Sequence, residues 1–304
     1  MAYQNDTYFA GDEIRSNQMK TIFLLIIMLG IIWGLAWMLG MLIGNVTFGL
    51  KIGFLVCIII IPLEMMAASF CIMTLTDCLP LNLNNEKEKQ VLDLVQGLSI
   101  AAGLSRVPDV YLIKSNIPNA LTAGWNEDSA FIAVTSELIE QMDRQELEAI
   151  IGHEIAHIVH RDIQVTQMAL ALNSGILILA IAIKYVALLL GVTSRNIYIK
   201  IAFFILFLLI YPLSQLTSLL LFFSISRSRE YSADALSVRL CSYSNGLVNA
   251  LKKLEKTTQK YTDDQIDALG GKELESLYFY FGDATAFSTH PSIKDRIHKC
   301  SNMY

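Results

Sequence analysis

Charge is scarce in this 304-residue chain: Asp, Glu, Lys and Arg make up 17% of it, against an ordinary ~25%. That shortage argues against an ordinary soluble protein. The net charge is −5 and no basic stripe is visible, so no nucleic-acid partner is expected. Cysteine is thin as well. The five present (Cys57, Cys71, Cys78, Cys241 and Cys300) form no CxxC pair and no even framework. Free thiols in a reducing compartment are the expected state. Tandem repeats and low-complexity tracts are also lacking, which excludes solenoid architectures.

What the chain has in excess is apolar sequence, 54% of it, gathered into blocks. Residues 21–44 and 201–223 carry no charge, residues 52–73 carry only Glu64, and residues 168–192 only Lys184. A membrane-spanning helix needs ~20 apolar residues, and each block is long enough. The first is too long for a signal-peptide core and reads as a retained anchor. Four transmembrane helices in two pairs follow, joined by the short turns 45–51 and 193–200. The expected organisation is a tail (1–20), spans 1 and 2 (21–74), a polar region (75–165), spans 3 and 4 (166–223) and a second polar region (224–304). An even number of spans separates the polar regions, so both face one side and can build one domain. Arg15, Lys20, Lys87, Lys89, Arg161, Arg227 and Arg229 flank that side, against Lys51, Arg195 and Lys200 in the turns. Positive charge marks the cytoplasmic face. Glu64, beside Pro62, reads as hydrogen-bonded structure near a kink rather than as part of an ion path.

Within the first polar region, 87–103 has helical periodicity ending at Gly103. Three short strand-like runs follow, 109–113, 119–123 and 129–134, and the simplest arrangement is a small antiparallel sheet. Asp143 and Glu146 in "DRQE" form a capping box that opens a helix running toward Arg161.

That helix carries "HEIAH" at 153–157. His153 and His157, four apart, share a face, so both imidazoles reach one ion, and Glu154 lies beside them as a general base. A catalytic zinc wants three protein ligands and an open position. His160 is seven residues from His153, roughly 10 Å along the axis, too far to join the pair on a straight helix. It suits the helix end instead. "SRSREYSADA" at 226–235 offers Glu230 as the third ligand, with Asp234 one turn on to orient a ligand histidine. On the residues alone two plainer readings stay open: a helix with two partly buried histidines, and a solvated helix in which Arg227 or Arg229 pairs with Glu230.

Together with "PNALTAG" at 118–124 and "HPSIKDR" at 290–296, these motifs resemble the HtpX family of membrane-bound zinc metalloendopeptidases. Those are gluzincin-type enzymes related to the CAAX prenyl endopeptidases. The resemblance covers nearly everything after residue 20 and includes the order of spans and motifs. It implies a mostly α membrane protein with four transmembrane helices and an α+β zincin-like cytoplasmic catalytic domain. It implies one Zn2+ per subunit on His153, His157 and Glu230, with Glu154 as base and Asp234 behind the ligands. Asn119, Ala120 and Gly124 match a substrate-strand motif whose backbone pairs with an extended peptide at an exposed edge. The family usually has Phe at position 121 and Thr at 123, where this chain has Leu121 and Ala123. His290 matches a histidine that steadies the oxyanion, and Arg296 closes that motif.

The activity so implied is endopeptidase cleavage of damaged or unfolded membrane proteins at the cytoplasmic surface of a bacterial inner membrane, in stress-response quality control. An intramembrane protease fits less well, because Asp143, Arg144, Glu146, Glu148, Arg161 and Asp162 flank the motif. A prenyl-protein endopeptidase would need more spans. A catalytically inactive zinc-binding membrane scaffold is the non-enzymatic alternative, and a zinc carrier would need ligands within its spans.

Overall fold

The computed structural model describes residues 43–193, 227–258, 278–279 and 291–303, with parts of 19–41 and 197–208. Ten helices are used below: α1 (Leu29–Met41), α2 (Val46–Leu55), α3 (Ile61–Leu75), α4 (Glu86–Ala102), α5 (Ser136–Gln141), α6 (Arg144–Val159), α7 (Asp162–Thr193), α8 (Arg227–Cys241), α9 (Asn245–Thr258) and α10 (Ile293–Ser301). Four strands, β1 (Leu79–Pro80), β2 (Asp109–Ile113), β3 (Ala120–Ala123) and β4 (Phe131–Thr135), form one sheet. The chain divides into two compact units. One is built on Ser69–Gln167 with residues of Ile225–Tyr304, the other on Gln18–Ala68 with Met168–Ser224.

The second unit is apolar and helical. Asn45 ends the turn after α1 and caps α2, its side chain accepting from the Phe48 N–H at 3.0 Å. Small residues let α1 and α2 approach closely: a Cβ on Gly49 would meet the Ala36 carbonyl oxygen at 2.3 Å, and one on Gly53 the Ala36 Cβ at 2.6 Å. Close backbone approach over Gly and Ala is how helices pack where no hydrophobic drive separates them from lipid. Ile32, Leu35 and Leu39 pack with Val56 and with Ile176, Leu179 and Ile183 of α7. Between α2 and α3 the backbone widens into a π-helical turn, Val56–Ile60. Pro62 follows at once; it has no N–H to continue the ladder, and a wider turn accommodates the break. Among the described residues one helix, through Ile176–Thr193, is long and apolar enough to cross a membrane; Leu29–Met41, Val46–Ile59 and Met66–Leu75 are shorter apolar stretches. Most of the fourth apolar block, 201–223, lies outside the described residues.

In the first unit the sheet corrects the antiparallel expectation. Its order is β1-β2-β4-β3, with β2 and β4 parallel and the other pairs antiparallel. The chain does reverse at each turn, so β2 and β4 point the same way. However, β4 inserts between β2 and β3 instead of adding beyond β3, which makes the β2–β4 contact parallel. Gly124 makes the β3–β4 turn possible: its φ is +138°, and a Cβ there would meet the Ala130 Cα at 2.5 Å.

Helix α4 is capped by Asn85 and ends at Gly103 in the left-handed region, as its periodicity predicts. In α6 the capping box is complete: Asp143 accepts from the Glu146 N–H at 2.9 Å and Glu146 from the Asp143 N–H at 2.8 Å. Helix α6 is buried almost all round. Ile150, Ile151 and Ile155 join Val91, Leu94 and Val95 of α4, Ile132 and Val134 of β4, and Leu247 and Leu251 of α9 in one core. Such enclosure holds the histidine helix rigidly. Gly152 lets α8 come close, since a Cβ there would lie 3.1 Å from Ser237 Oγ. Ser237 in turn donates to the Ala149 carbonyl at 2.5 Å, which locks α8 to α6.

Candidate metal centre

That lock sets the register of α8, so Glu230 and Asp234 come to the histidine face of α6. His153 Nε2 and His157 Nε2 stand 3.1 Å apart. Glu230 adds its oxygens 3.6 Å from His153 Nε2 and 3.7 Å from His157 Nε2. Two donors on a tetrahedral ion with bonds of ~2.0–2.1 Å stand ~3.3 Å apart. Among the described residues, these three form the group that could hold a metal ion. His160 is the C-cap of α6 and is not part of it. Arg229 stands 3.8 Å from Asp162, and both it and Glu230 are buried, so this stretch of α8 is not a solvated face.

Each histidine has its own carboxylate on the far nitrogen. His153 Nδ1 lies 2.9 Å from Asp234 Oδ1, and His157 Nδ1 lies 2.9 Å from Asp162 Oδ2. A carboxylate accepts the Nδ1 proton and leaves Nε2 as the lone-pair nitrogen. Two lone pairs facing each other at 3.1 Å in a buried site repel unless a cation lies between them. Burial opposes charge on His153, but hydrogen bonding to Asp234 and Glu230 outweighs it and, with no metal bound, raises the imidazole to about 9. The pocket therefore stabilises one positive charge there, a proton or a metal ion.

The two carboxylates are held low. Burial pushes Asp234 upward, yet Arg296 and His153 outweigh it and keep the carboxyl below its ordinary range. Burial likewise opposes ionisation of Asp162, and His157 and Arg229 outweigh it. Arg296 is 1% exposed and binds Asp234 in two places, Nε to Oδ2 at 2.9 Å and Nη2 to Oδ1 at 2.7 Å. Its Nη1 donates to the Phe279 carbonyl at 3.1 Å. The guanidinium carbon sits 4.5 Å from the Phe279 ring centroid, and that ring meets His153 edge-on at 4.8 Å.

Glu154 is 1% exposed and its carboxylate faces β3, where the Thr122 hydroxyl donates to it at 2.6 Å. Asn119 is tied to β4: its N–H donates to Thr135 Oγ1 at 2.8 Å and its carbonyl accepts from the Thr135 N–H at 2.9 Å. Its own side chain accepts from the Ala120 N–H at 3.0 Å. The outer edge of β3 is met by another segment of the chain. Leu121 bridges Tyr278, and the Ala120 carbonyl accepts from the Phe279 N–H at 2.8 Å. His290 lies outside the described residues.

The structure thus brings His153, Glu154, His157, Glu230, Asp234 and Arg296 to one place. Sequence reasoning missed Asp162, Thr122 and Phe279. Asp162 follows Arg161, whose φ of +59° turns the chain sharply between α6 and α7. Nothing in the residue spacing signals that this turn returns the carboxylate to His157.

A buried site that demands a cation, with a further carboxylate beside it, is equipped for metal-assisted hydrolysis of an amide, and the class it defines is the metallopeptidase. The chain belongs to peptidase family M48, whose family model matches residues 85–304. Among curated proteins it is similar to a "Protease HtpX homolog" of Helicobacter acinonychis, 36% identical over 222 residues, spanning 73% of this chain and 69% of that one. A homologue of the same name from Streptococcus pyogenes is 30% identical over 304 residues, covering 96% of this chain and 99% of its own. One from Listeria monocytogenes is 28% identical over 320 residues, covering 96% and 99%. Among solved structures, the crystal structure of S. mikatae Ste24p superposes with a TM-score of 0.50 at 17% identity. It is matched over 95% of this chain and 66% of its own length, a likeness of fold.

Proposed function

We propose that this metallopeptidase is a zinc-dependent endopeptidase anchored in a bacterial inner membrane, its catalytic face cytoplasmic, cleaving unfolded or damaged membrane proteins. The observation that carries the reading is the pair of imidazole Nε2 atoms 3.1 Å apart, each with a carboxylate on its Nδ1. Imidazole nitrogens and a carboxylate are a zinc donor set. His153, His157 and Glu230 would hold the ion, and a bound zinc supplies Lewis acidity and a water of lowered pKa. Asp234 and Asp162 fix the two rings, and Arg296 fixes Asp234. Glu154 takes a proton from the attacking water and delivers it to the leaving amine. His290 steadies the oxyanion.

The substrate is an extended peptide whose backbone pairs with Asn119–Gly124. Because Phe279 already uses the Ala120 carbonyl, a substrate strand gains that acceptor only when the 278–279 pairing gives way. The four apolar blocks anchor the enzyme beside its substrates, in keeping with the basic bias of the flanks.

Purified full-length protein digesting casein, with and without chelator, tests the reading against an inactive zinc-binding scaffold. Chelator stops cleavage and added zinc restores it. Glu154→Gln keeps one zinc per chain and cleaves nothing measurable; full proteolysis by that variant overturns the base assignment.

A further inference from the structure

We infer that Thr122 is a positioning residue for the general base, fixing which oxygen of Glu154 faces the reacting water. The inference rests on the reading of Glu154 as base given above. Strand alternation places the hydroxyl. On β3, Ala120 packs into the core that holds α6, while Leu121 and Ala123 pack on the opposite face with Ile113, Phe131 and Tyr278. Thr122 therefore shares the Ala120 face and points at α6. Its neighbours in the strand are Ala, Leu and Ala, so the one polar side chain of β3 is the one aimed at the base.

The contact is specific. Thr122 Oγ1 lies 2.6 Å from Glu154 Oε2 and 3.4 Å from the Glu154 carbonyl oxygen. A hydroxyl has one proton to donate, and the shorter contact to the charged acceptor takes it. Thr122 is 4% exposed, so solvent does not compete. The other carboxylate oxygen, Oε1, is buried and has no hydrogen-bond partner among the described protein atoms. Leaving a buried acceptor unsatisfied is costly, and at a site that works on water that acceptor is where the water proton goes. The two oxygens thus divide the work. Oε2 is anchored by the hydroxyl, while Oε1 keeps its lone pairs for proton transfer. The terminal torsion of a glutamate is broad and roughly two-fold, so without the hydroxyl the carboxylate turns freely about it.

The test compares Thr122→Val, nearly equal in shape but lacking the hydroxyl, with Thr122→Ser, which keeps it, in zinc-loaded full-length enzyme. The valine variant binds one zinc per chain, loses roughly tenfold in kcat, a fraction of the ~10²–10⁴ that general base catalysis contributes, and keeps KM within about twofold. The serine variant recovers most of the loss. Thr122→Ala runs beside valine, so that a steric fault of the branched residue is recognised. The inference is overturned if valine and alanine keep kcat within twofold, if the loss appears in KM instead, or if both variants lose zinc. Should Glu154→Gln itself retain proteolysis, the base reading fails and not the Thr122 assignment alone.

Discussion

The two histidines of the metal site are served by the same device built in different ways. On one side His153, wholly buried, donates its Nδ1–H to Asp234 of α8, which is gripped by Arg296 of α10, itself against the Phe279 ring. On the other side His157, 17% exposed at its side chain, pairs with Asp162 only five residues on, with Arg229 standing 3.8 Å from that carboxylate. The first arrangement joins α6, α8, α10 and residue 279, parts far apart in sequence. The second is nearly local. What differs is the strength of the hold: Arg229 stands 3.8 Å from Asp162, beyond hydrogen-bond distance, whereas Arg296 makes two short bonds to Asp234 and loses both with it.

The largest effect therefore belongs to Asp234→Ala. It removes both bonds of Arg296 to Asp234 and leaves that cation with Glu230, at 3.9 Å, as its nearest remaining carboxylate among the described residues, beside the Phe279 carbonyl and ring. Breaking one partner of a buried pair costs about 3–5 kcal/mol, and with Glu230 nearby the lower end is expected. Much of the protein should fail to fold or to hold metal. Asp234→Asn keeps shape and one acceptor and should fold, with metal affinity down ~10–100-fold. Metal content after dialysis against graded chelator measures both variants. A fully loaded, stable Asp234→Ala protein would remove the distinction between the two sides.

Next in size is Asp162→Asn. It weakens the orienting bond of His157 but keeps an oxygen toward Arg229, which stands 3.8 Å away, so metal affinity should fall about tenfold, at the low end of the range for such partners, with a smaller change in melting than at Asp234. Finding it more damaging than Asp234→Asn would reverse the ranking. The two carboxylates also set an acid limit. Their folded pKa values lie below the ordinary carboxylate range. They contribute stability that is present above ~4, the unfolded value, and is lost as pH falls through their lower folded values. Melting temperature should thus hold from neutrality down to about pH 5 and drop below it, with Asp234→Asn flattening the acid limb more than Asp162→Asn.

A third effect comes from the cation the rings demand. With no metal bound, His153 is raised to about 9, so metal uptake at neutral pH displaces a proton from the inner side of the site. Apparent affinity should strengthen as pH rises toward that value. Titration calorimetry in buffers of differing ionisation enthalpy reads the proton directly. A binding enthalpy indifferent to buffer would mean that no proton occupies the site.

The contrast also marks where sequence is informative. The i, i+4 spacing of His153 and His157 and of Glu230 and Asp234 was legible because helical geometry alone puts each pair on one face. The capping box at Asp143 and the stop at Gly103 were legible for the same reason, being rules of local backbone chemistry. Strand β2 was found at its observed limits, Asp109–Ile113. Its pairing was not, because insertion of β4 between two earlier strands is decided by packing on both sheet faces. In the sequence Asp162 is only a charge that keeps the helix out of hydrocarbon, since its role depends on one left-handed residue, Arg161. Thr122 needed the strand to be set against α6. Phe279 belongs to none of the sequence motifs, and its importance comes wholly from what touches it.

Phe279 supplies the smallest and sharpest test, because among the described residues no aromatic ring is seen to brace Asp162 and Arg229 in the same way. Its backbone makes two bonds, to Ala120 and from Arg296, and its ring makes two contacts, to the guanidinium and to His153. Phe279→Leu keeps the backbone bonds and most of the apolar volume but removes the ring face. A desolvated cation–π contact is worth roughly 0.5–2 kcal/mol, and an aromatic edge contact ~0.5–1.5 kcal/mol. Loss of both, with a small cavity, should lower stability by about 1–3 kcal/mol while the metal content of the loaded protein is unchanged. Denaturant melting of the metal-free protein measures the first, and metal analysis the second. If the leucine variant is as stable as the parent, the ring does not brace Arg296. If it instead sheds metal as readily as Asp234→Asn, the ring is holding His153 itself, and the inner side depends on an aromatic wall as much as on its carboxylate.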